Sequence, residues 1–216
     1  GRFTNQITEI EVPQRRSDPV TVSEDEGPRA DTTIESLSVL RPVFKKDGTV
    51  TAGNASSIND GAAAVVMMSA ERAAALGLKP RMKWHTRGVA GVDPAIMGIG
   101  PVPAVQKALG KAGMEVNDID VIELNEAFAS QALYCMRELN LDIDKTNLNG
   151  SGISLGHPVG ATGAIMTVKI MEEMERSNAN LGLVTMCVGG EGLDCLLRLA
   201  INYGTVYVVA PDRERS

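Results

Sequence analysis

From Asp60 onward the chain alternates short apolar runs with segments of helical period, and this alternation restricts it to a layered α/β architecture. Residues 62–68 form a run of small residues and valine suited to a buried strand, after which Ser69 is placed to cap a helix and Gly77 to end it. A second strand is predicted over 81–89. Pro103 then opens a helix whose Val105, Ala108, Leu109 and Ala112 recur at i, i+3, i+4 and i+7, with Gly113 as its stop. Residues 119–124 read as a short strand, followed by a helix with Ala129, Ala132, Leu133 and Met136 on one face. Residues 146–150 lead through a glycine-spaced loop into a helix over about 164–176, and 181–186 form an apolar strand that ends at Cys187.

The first 58 residues differ in character. They are polar and irregular, with Pro13, Pro19, Pro28 and Pro42 and an acidic run at Glu24, Asp25 and Glu26, and they read as an extended lobe of loops and short helices. With 216 residues, 44% of them hydrophobic, the chain has the material for a substantial core and reads as a soluble globular protein. A net charge of -6, with an Arg15-Arg16 pair too small to form a basic patch, argues against a nucleic-acid partner. No apolar run approaches the roughly 18 residues of a membrane span. Three cysteines without Cys-x-x-Cys spacing indicate neither disulfides nor a structural zinc, and a cytoplasmic location is expected, although the polar start at Gly1 leaves room for an organellar signal further upstream.

Three motifs carry chemistry. Gly156-His157-Pro158-Val159-Gly160-Ala161-Thr162-Gly163 displays one of the two histidines on a turn stiffened by Pro158, just ahead of an apolar helical run. Asn125 opens Asn125-Glu126-Ala127-Phe128 after one strand, and Cys187 opens Cys187-Val188-Gly189-Gly190 after another. Asn125, His157 and Cys187 thus all fall where strands are expected to give way to loops, the edge at which open α/β sheets hold ligands. Each motif also has a plainer explanation. Asn125 could cap the following helix, and the glycine loop could cradle a phosphate, although no acidic ribose partner or Lys-Ser/Thr follows it. His85, Cys135 and Cys195 read as structural residues.

In these motifs the chain resembles the thiolases, which make or cleave 3-oxoacyl-CoA thioesters. The likeness runs from Asp25-Glu26 through Arg41-Pro42-Val43-Phe44, the stretch from Gly48 to Ser56, Asn59-Asp60-Gly61-Ala62-Ala63 and Gly98-Ile99-Gly100-Pro101-Val102-Pro103-Ala104 to the three site motifs. It implies the C-terminal half of such an enzyme, a layered α/β/α half with a mixed sheet preceded by part of an irregular lobe that covers CoA. Residues 1–58 would belong to that lobe, 59–78 to the close of the N-terminal domain, 79–202 to the C-terminal domain and 203–216 to an atypical tail. The resemblance further implies that His157 draws off a thiol proton, that Asn125 fixes a water which completes an oxyanion hole with His157, that Cys187 moves the α-proton with a thiol pKa lowered toward neutrality, and that Gly189 offers a backbone N–H. Arg29, Ser36, Phe44 and Ser56 would contact CoA, while Met97, Ala127 and Phe128 would line the pantetheine and acyl channel. No metal or cofactor is implied, since the CoA thioester is itself the substrate, and homo-oligomers are expected.

Two departures from the family pattern stand out. None of Cys135, Cys187 or Cys195 lies in the small-residue Cys-Ser/Ala-Ser context of the family's nucleophile, so the chain is expected to need an N-terminal thiolase half from the same precursor or another chain. Glu191 stands where the family continues with glycine, and the tail is expected to add an edge strand over 205–209 or to be disordered. A non-catalytic remnant that still holds CoA is the other reading.

Overall fold

The computed structural model describes residues 1–189 in full and the backbone of residues 202–211. Its centre is a mixed sheet of β3 (Met82–Val92), β4 (Val121–Leu124), β5 (Gly182–Val188) and β6 (Asn202–Pro211), ordered β3-β6-β5-β4. β4 and β5 run parallel, while β6 lies antiparallel to both β5 and β3.

Side-chain alternation along β4 and β5 builds a core on each face. Ile122, Leu124 and Leu183 meet Ala104, Val105, Ala108 and Leu109 of α3 (Pro101–Ala112) and Ala132, Cys135 and Leu139 of α4 (Ala129–Leu139). Val121 and Val184 project the other way, onto Met166, Ile170 and Met174 of α6 (Thr162–Ser177). Burying each large aliphatic side chain in these clusters contributes about 1.5–3 kcal/mol. The result is the layered α/β architecture expected from the alternation, in the α/β/α form the resemblance implies. α3 ends at Gly113 in the left-handed region (φ 64°), and Asn140 and Asn178 close α4 and α6 in the same way, with short polar side chains that tolerate positive φ.

The first 58 residues are mostly exposed and hold little regular structure. They include a small antiparallel hairpin of β1 (Ile10–Val12) and β2 (Val20–Val22) and a five-residue helix, α1 (Ile34–Ser38), capped by Thr33. Ser69 likewise caps α2 (Ala70–Ala75), its side chain accepting the Arg72 N–H, and Gly77 follows with φ 65°.

Four expectations need correction. Residues 62–68 join no strand among the described residues, and Val66 is 84% exposed, because a strand needs a neighbouring backbone and none of the described elements provides one. Residues 202–211 are an interior strand rather than an edge one: β6 fills the gap between β5 and β3, pairing its backbone on both sides. The inward face of α4 is Ala132, Cys135 and Leu139, rotated from the face anticipated, and Leu133 is 47% exposed. Finally, a short helix, α5 (Gly152–Leu155), separates the 146–150 segment from His157, so the histidine follows a helix rather than a strand. Among the described residues no helix is long and apolar enough to cross a membrane.

Candidate active site

Strand pairing sets the position of Asn125. It follows the last residue of β4, and its backbone N–H continues the ladder by donating to the Thr185 carbonyl of β5 (3.0 Å), which leaves the side chain fully buried beyond the strand end. The flanks of this turn are held by polar side chains from the segment before His157. Asn147 accepts the Leu124 N–H (2.9 Å) and donates to the Leu124 carbonyl (2.8 Å) and to Glu126 (3.0 Å). Ser151 donates to the same Leu124 carbonyl (3.1 Å), and Glu126 accepts the Ile153 N–H (3.4 Å). A buried pair braces the arrangement from the α6 side, Lys169 Nζ lying 2.8 Å from Glu123 Oε2 and donating to the Gly150 carbonyl (2.5 Å). Burial outweighs the Lys169 attraction and holds the Glu123 carboxyl up, to about 7.

His157 is clamped through its backbone and its ring. Its N–H reaches the Ser57 carbonyl (3.2 Å) and Asn59 Oδ1 (3.1 Å), two acceptors from the close of the first lobe. Gly156 precedes it at φ 94°, and a Cβ there would overlap the Asn59 carboxamide, so glycine is required both by conformation and by space. On the ring, Nδ1 lies 2.7 Å from Thr162 Oγ1 and Nε2 lies 3.4 Å from Asn125 Nδ2. Burial disfavours the imidazolium and lowers the His157 pKa below its ordinary 6.5, so the ring is neutral at pH 7.

The structure therefore brings Asn125 and His157 into contact. Cys187 sits on the adjacent strand, two residues beyond the Thr185 carbonyl that holds Asn125, as a buried free thiol in β5 rather than in the loop after it. Burial, reinforced by the nearby Cys135, pushes its pKa up to about 11, opposite in direction to the lowered value expected for an acid/base thiol. Gly189 follows the end of β5 with open space where a Cβ would stand. Gly190, Glu191 and Cys195 lie outside the described residues.

The residues expected to contact CoA or to line its channel divide into two groups. Phe128 meets Phe44 edge-on (centroids 6.0 Å apart, 81°) and forms an isolated antiparallel bridge with Ala55. Ser56 donates its N–H to the Ala127 carbonyl (3.0 Å), and Ala129 donates to Asn54 (2.8 Å), so 54–56 and 127–129 form one backbone-paired wall. Met97 lies in the 3-10 turn Pro94–Ile99, beside Gly98, whose carbonyl accepts the Cys135 thiol (3.4 Å) on α4. Arg29 and Ser36 stand instead on the exposed lobe. The Arg29 carbonyl accepts the Thr32 N–H (3.4 Å), and the Ser36 hydroxyl is engaged with Thr33 in the capping box of α1. His85 is exposed at an irregularity in the β3–β6 register, and Cys135 is buried with its pKa raised by burial.

Sequence reasoning passed over Thr162, Asn59, Asn147 and Lys169 as site residues. Thr162 was visible five places after His157 inside the glycine loop, but the other three act across sequence separations that spacing does not report.

Two family models match the chain: "Thiolase, C-terminal domain" over residues 78–198 and "Thiolase, N-terminal domain" over residues 1–71. An acetyl-CoA acetyltransferase of Pseudomonas aeruginosa is 55% identical over 190 residues, which is 88% of this chain and 48% of the relative. A 3-ketoacyl-CoA thiolase of Bacillus subtilis is 49% identical over 200 residues, 88% of this chain and 51% of the relative. The crystal structure of the Bacillus anthracis acetyl-CoA acetyltransferase superposes with a TM-score of 0.87 at 46% identity, covering 98% of this chain and 50% of that one. A human mitochondrial 3-ketoacyl-CoA thiolase in complex with CoA gives 0.81 at 38% identity, covering 98% and 49%. The chain spans about half the length of the relatives it matches. Shared fold, matched domain models and the glycine loop that presents His157 to Asn125 together make this chain a member of the thiolase family.

Proposed function

We propose that this chain carries the proton-transfer and oxyanion part of a thiolase acyltransferase site, acting in the reversible thiolysis and Claisen condensation of 3-oxoacyl-CoA. The observation that carries this reading is the contact between His157 Nε2 and Asn125 Nδ2, made by a ring that burial keeps neutral. In thiolysis a cysteine thiolate adds to the 3-oxo carbonyl after its proton passes to His157, the bond between the second and third carbons breaks, and the electron pair leaves as the enolate of acetyl-CoA. His157, and a water held by Asn125, would stabilise that enolate oxygen, and a proton returned to its carbon completes the release. CoA then cleaves the acyl-enzyme: its thiol proton restores the Cys187 that has protonated the enolate, and the released nucleophile takes its own proton back from His157. Cys187, protonated at neutral pH because burial raises its pKa, is in the state that returns a proton to the enolate, and Gly189 would offer its N–H to the tetrahedral intermediate.

CoA itself would lie along the wall of Phe44, Ser56, Ala127 and Phe128, with Met97 on the acyl side and Arg29 and Ser36 on the lobe above. The nucleophile is supplied in this reading by an N-terminal thiolase half, in the same precursor or in another chain. A cytoplasmic homo-oligomer is part of the same reading, carried over from the family resemblance alone. Co-expression with such a half, followed by an acetoacetyl-CoA thiolysis assay, tests the reading. Restored turnover that His157→Ala abolishes is expected. CoA binding without any acyl-enzyme, with the complementing half folded and present, would overturn it in favour of a CoA-holding remnant.

A further inference from the structure

We infer that Thr162 is a positioning residue that fixes the tautomer of His157, placing the ring proton on Nδ1 and leaving Nε2 as the unprotonated nitrogen that can take up a proton. The inference deepens the proposed reading of His157 as a base, but it is carried by hydrogen-bond bookkeeping at both ends of the ring. At one end, Thr162 Oγ1 lies 2.9 Å from the Pro158 carbonyl and 2.7 Å from His157 Nδ1. A hydroxyl has one proton, and a carbonyl can only accept, so the Thr162 proton goes to Pro158 and its lone pair faces Nδ1. Nδ1 must then be the donor. At the other end Asn125 Nδ2, which can only donate, lies 3.4 Å from Nε2, so Nε2 must be the acceptor. Two side chains from different elements thus select the same tautomer, with the orientation set by the nitrogen remote from the reacting face.

The surroundings keep Thr162 in this role. It opens α6, is buried, and has its backbone N–H on the same Pro158 carbonyl (2.9 Å). A hydroxyl at this position therefore bonds one turn back within its own helix start, and Pro158 is at once the residue that stiffens the loop and the acceptor that orients Thr162.

Long-range proton–nitrogen correlation spectra of the 15N-labelled chain, recorded where imidazole is neutral, read the tautomer directly, and His85→Gln assigns the second histidine. The expected wild-type spectrum shows His157 protonated at Nδ1. Thr162→Ser, which keeps the hydroxyl, should retain that pattern, whereas Thr162→Val, which keeps the shape alone, should move the proton to Nε2 or mix the two forms. In the complemented enzyme Thr162→Val should lower kcat by about 10-fold or more with KM held, and Thr162→Ser should restore it. A wild-type ring protonated at Nε2, or a folded Thr162→Val variant that keeps the Nδ1 proton, would overturn the inference. If Thr162→Val does not fold, the wild-type and Thr162→Ser spectra decide it. A complementation that yields no turnover would count against the acyltransferase reading and leave the tautomer result standing.

Discussion

At the scale of single residues, burial sets the chemistry of the two titratable site residues, and it acts on them in different senses. It lowers the His157 pKa and so preserves a neutral base, while it raises that of Cys187 and so preserves an acid. The histidine shift carries a stability consequence. Because the folded pKa lies below the unfolded value of 6.5, the unfolded chain takes up the proton first, so this contribution is complete above about pH 6.5 and is lost as pH falls through the folded value. Thermal melts at about pH 7.5 and pH 5 should therefore show a larger loss of Tm for wild type than for His157→Gln. The raised Glu123 contributes with the opposite sign, losing stability as pH rises toward about 7, but it is common to both proteins and cancels in the comparison. Asn125→Ala should lower kcat of the complemented enzyme by about 100-fold or more, the usual effect of losing an oxyanion donor, with thiolysis kinetics as the measurement. Asn125 and His157 were legible in the sequence because each sits in a motif with a plain mechanical purpose. The direction of the Cys187 shift was not, since it depends on what surrounds the thiol in space.

At the scale of elements, close approach and buried charge decide how the layers fit. α3 lies so near β3 that a Cβ on Gly88 would overlap the Ala104 carbonyl and stand 2.9 Å from the Ala108 nitrogen. Gly88→Ala should cost about 1–3 kcal/mol in urea unfolding, as expected for overpacking where the neighbour is backbone. Lys169 joins α6 to Glu123 of β4 and to the Gly150 carbonyl, so it ties the strand that ends at Asn125 to the segment that leads to His157. Lys169→Met strands a buried carboxylate and should destabilise by about 3–5 kcal/mol at pH 8, and by less at pH 5.5, where Glu123 takes up a proton, as read from denaturation midpoints. Helices α2, α3, α4 and α6 and strands β3, β4 and β5 were legible from periodicity and caps. The face of α4 was not, because Cys135 and Gln131 are drawn toward the Gly98 turn, with Cys135 donating to the Gly98 carbonyl, and no local pattern encodes that pull.

At the scale of the whole molecule, the exposed apolar run at 62–68 is the feature that composition misplaced. Its composition suits a buried strand, yet Val66 and Met67 are 84% and 64% exposed among the described residues. In the proposed reading the complementing thiolase half covers this run. Val66→Asp should then leave the stability of this chain within about 0.5 kcal/mol, as for ordinary surface substitutions, while abolishing complementation in the thiolysis assay. A Val66→Asp chain that complements fully would show that the partner docks elsewhere.

The alternation of strand and helix, the helix caps and the three motifs were determined by the sequence alone, because each depends on residues within one or two turns of one another. Only the tertiary structure decided that β6 lies inside the sheet, that Asn59 clamps a histidine 98 residues away, and that burial raises the Cys187 pKa. Those outcomes depend on which backbones, carboxamides and apolar surfaces meet in space, and the chain specifies such meetings only through the fold as a whole.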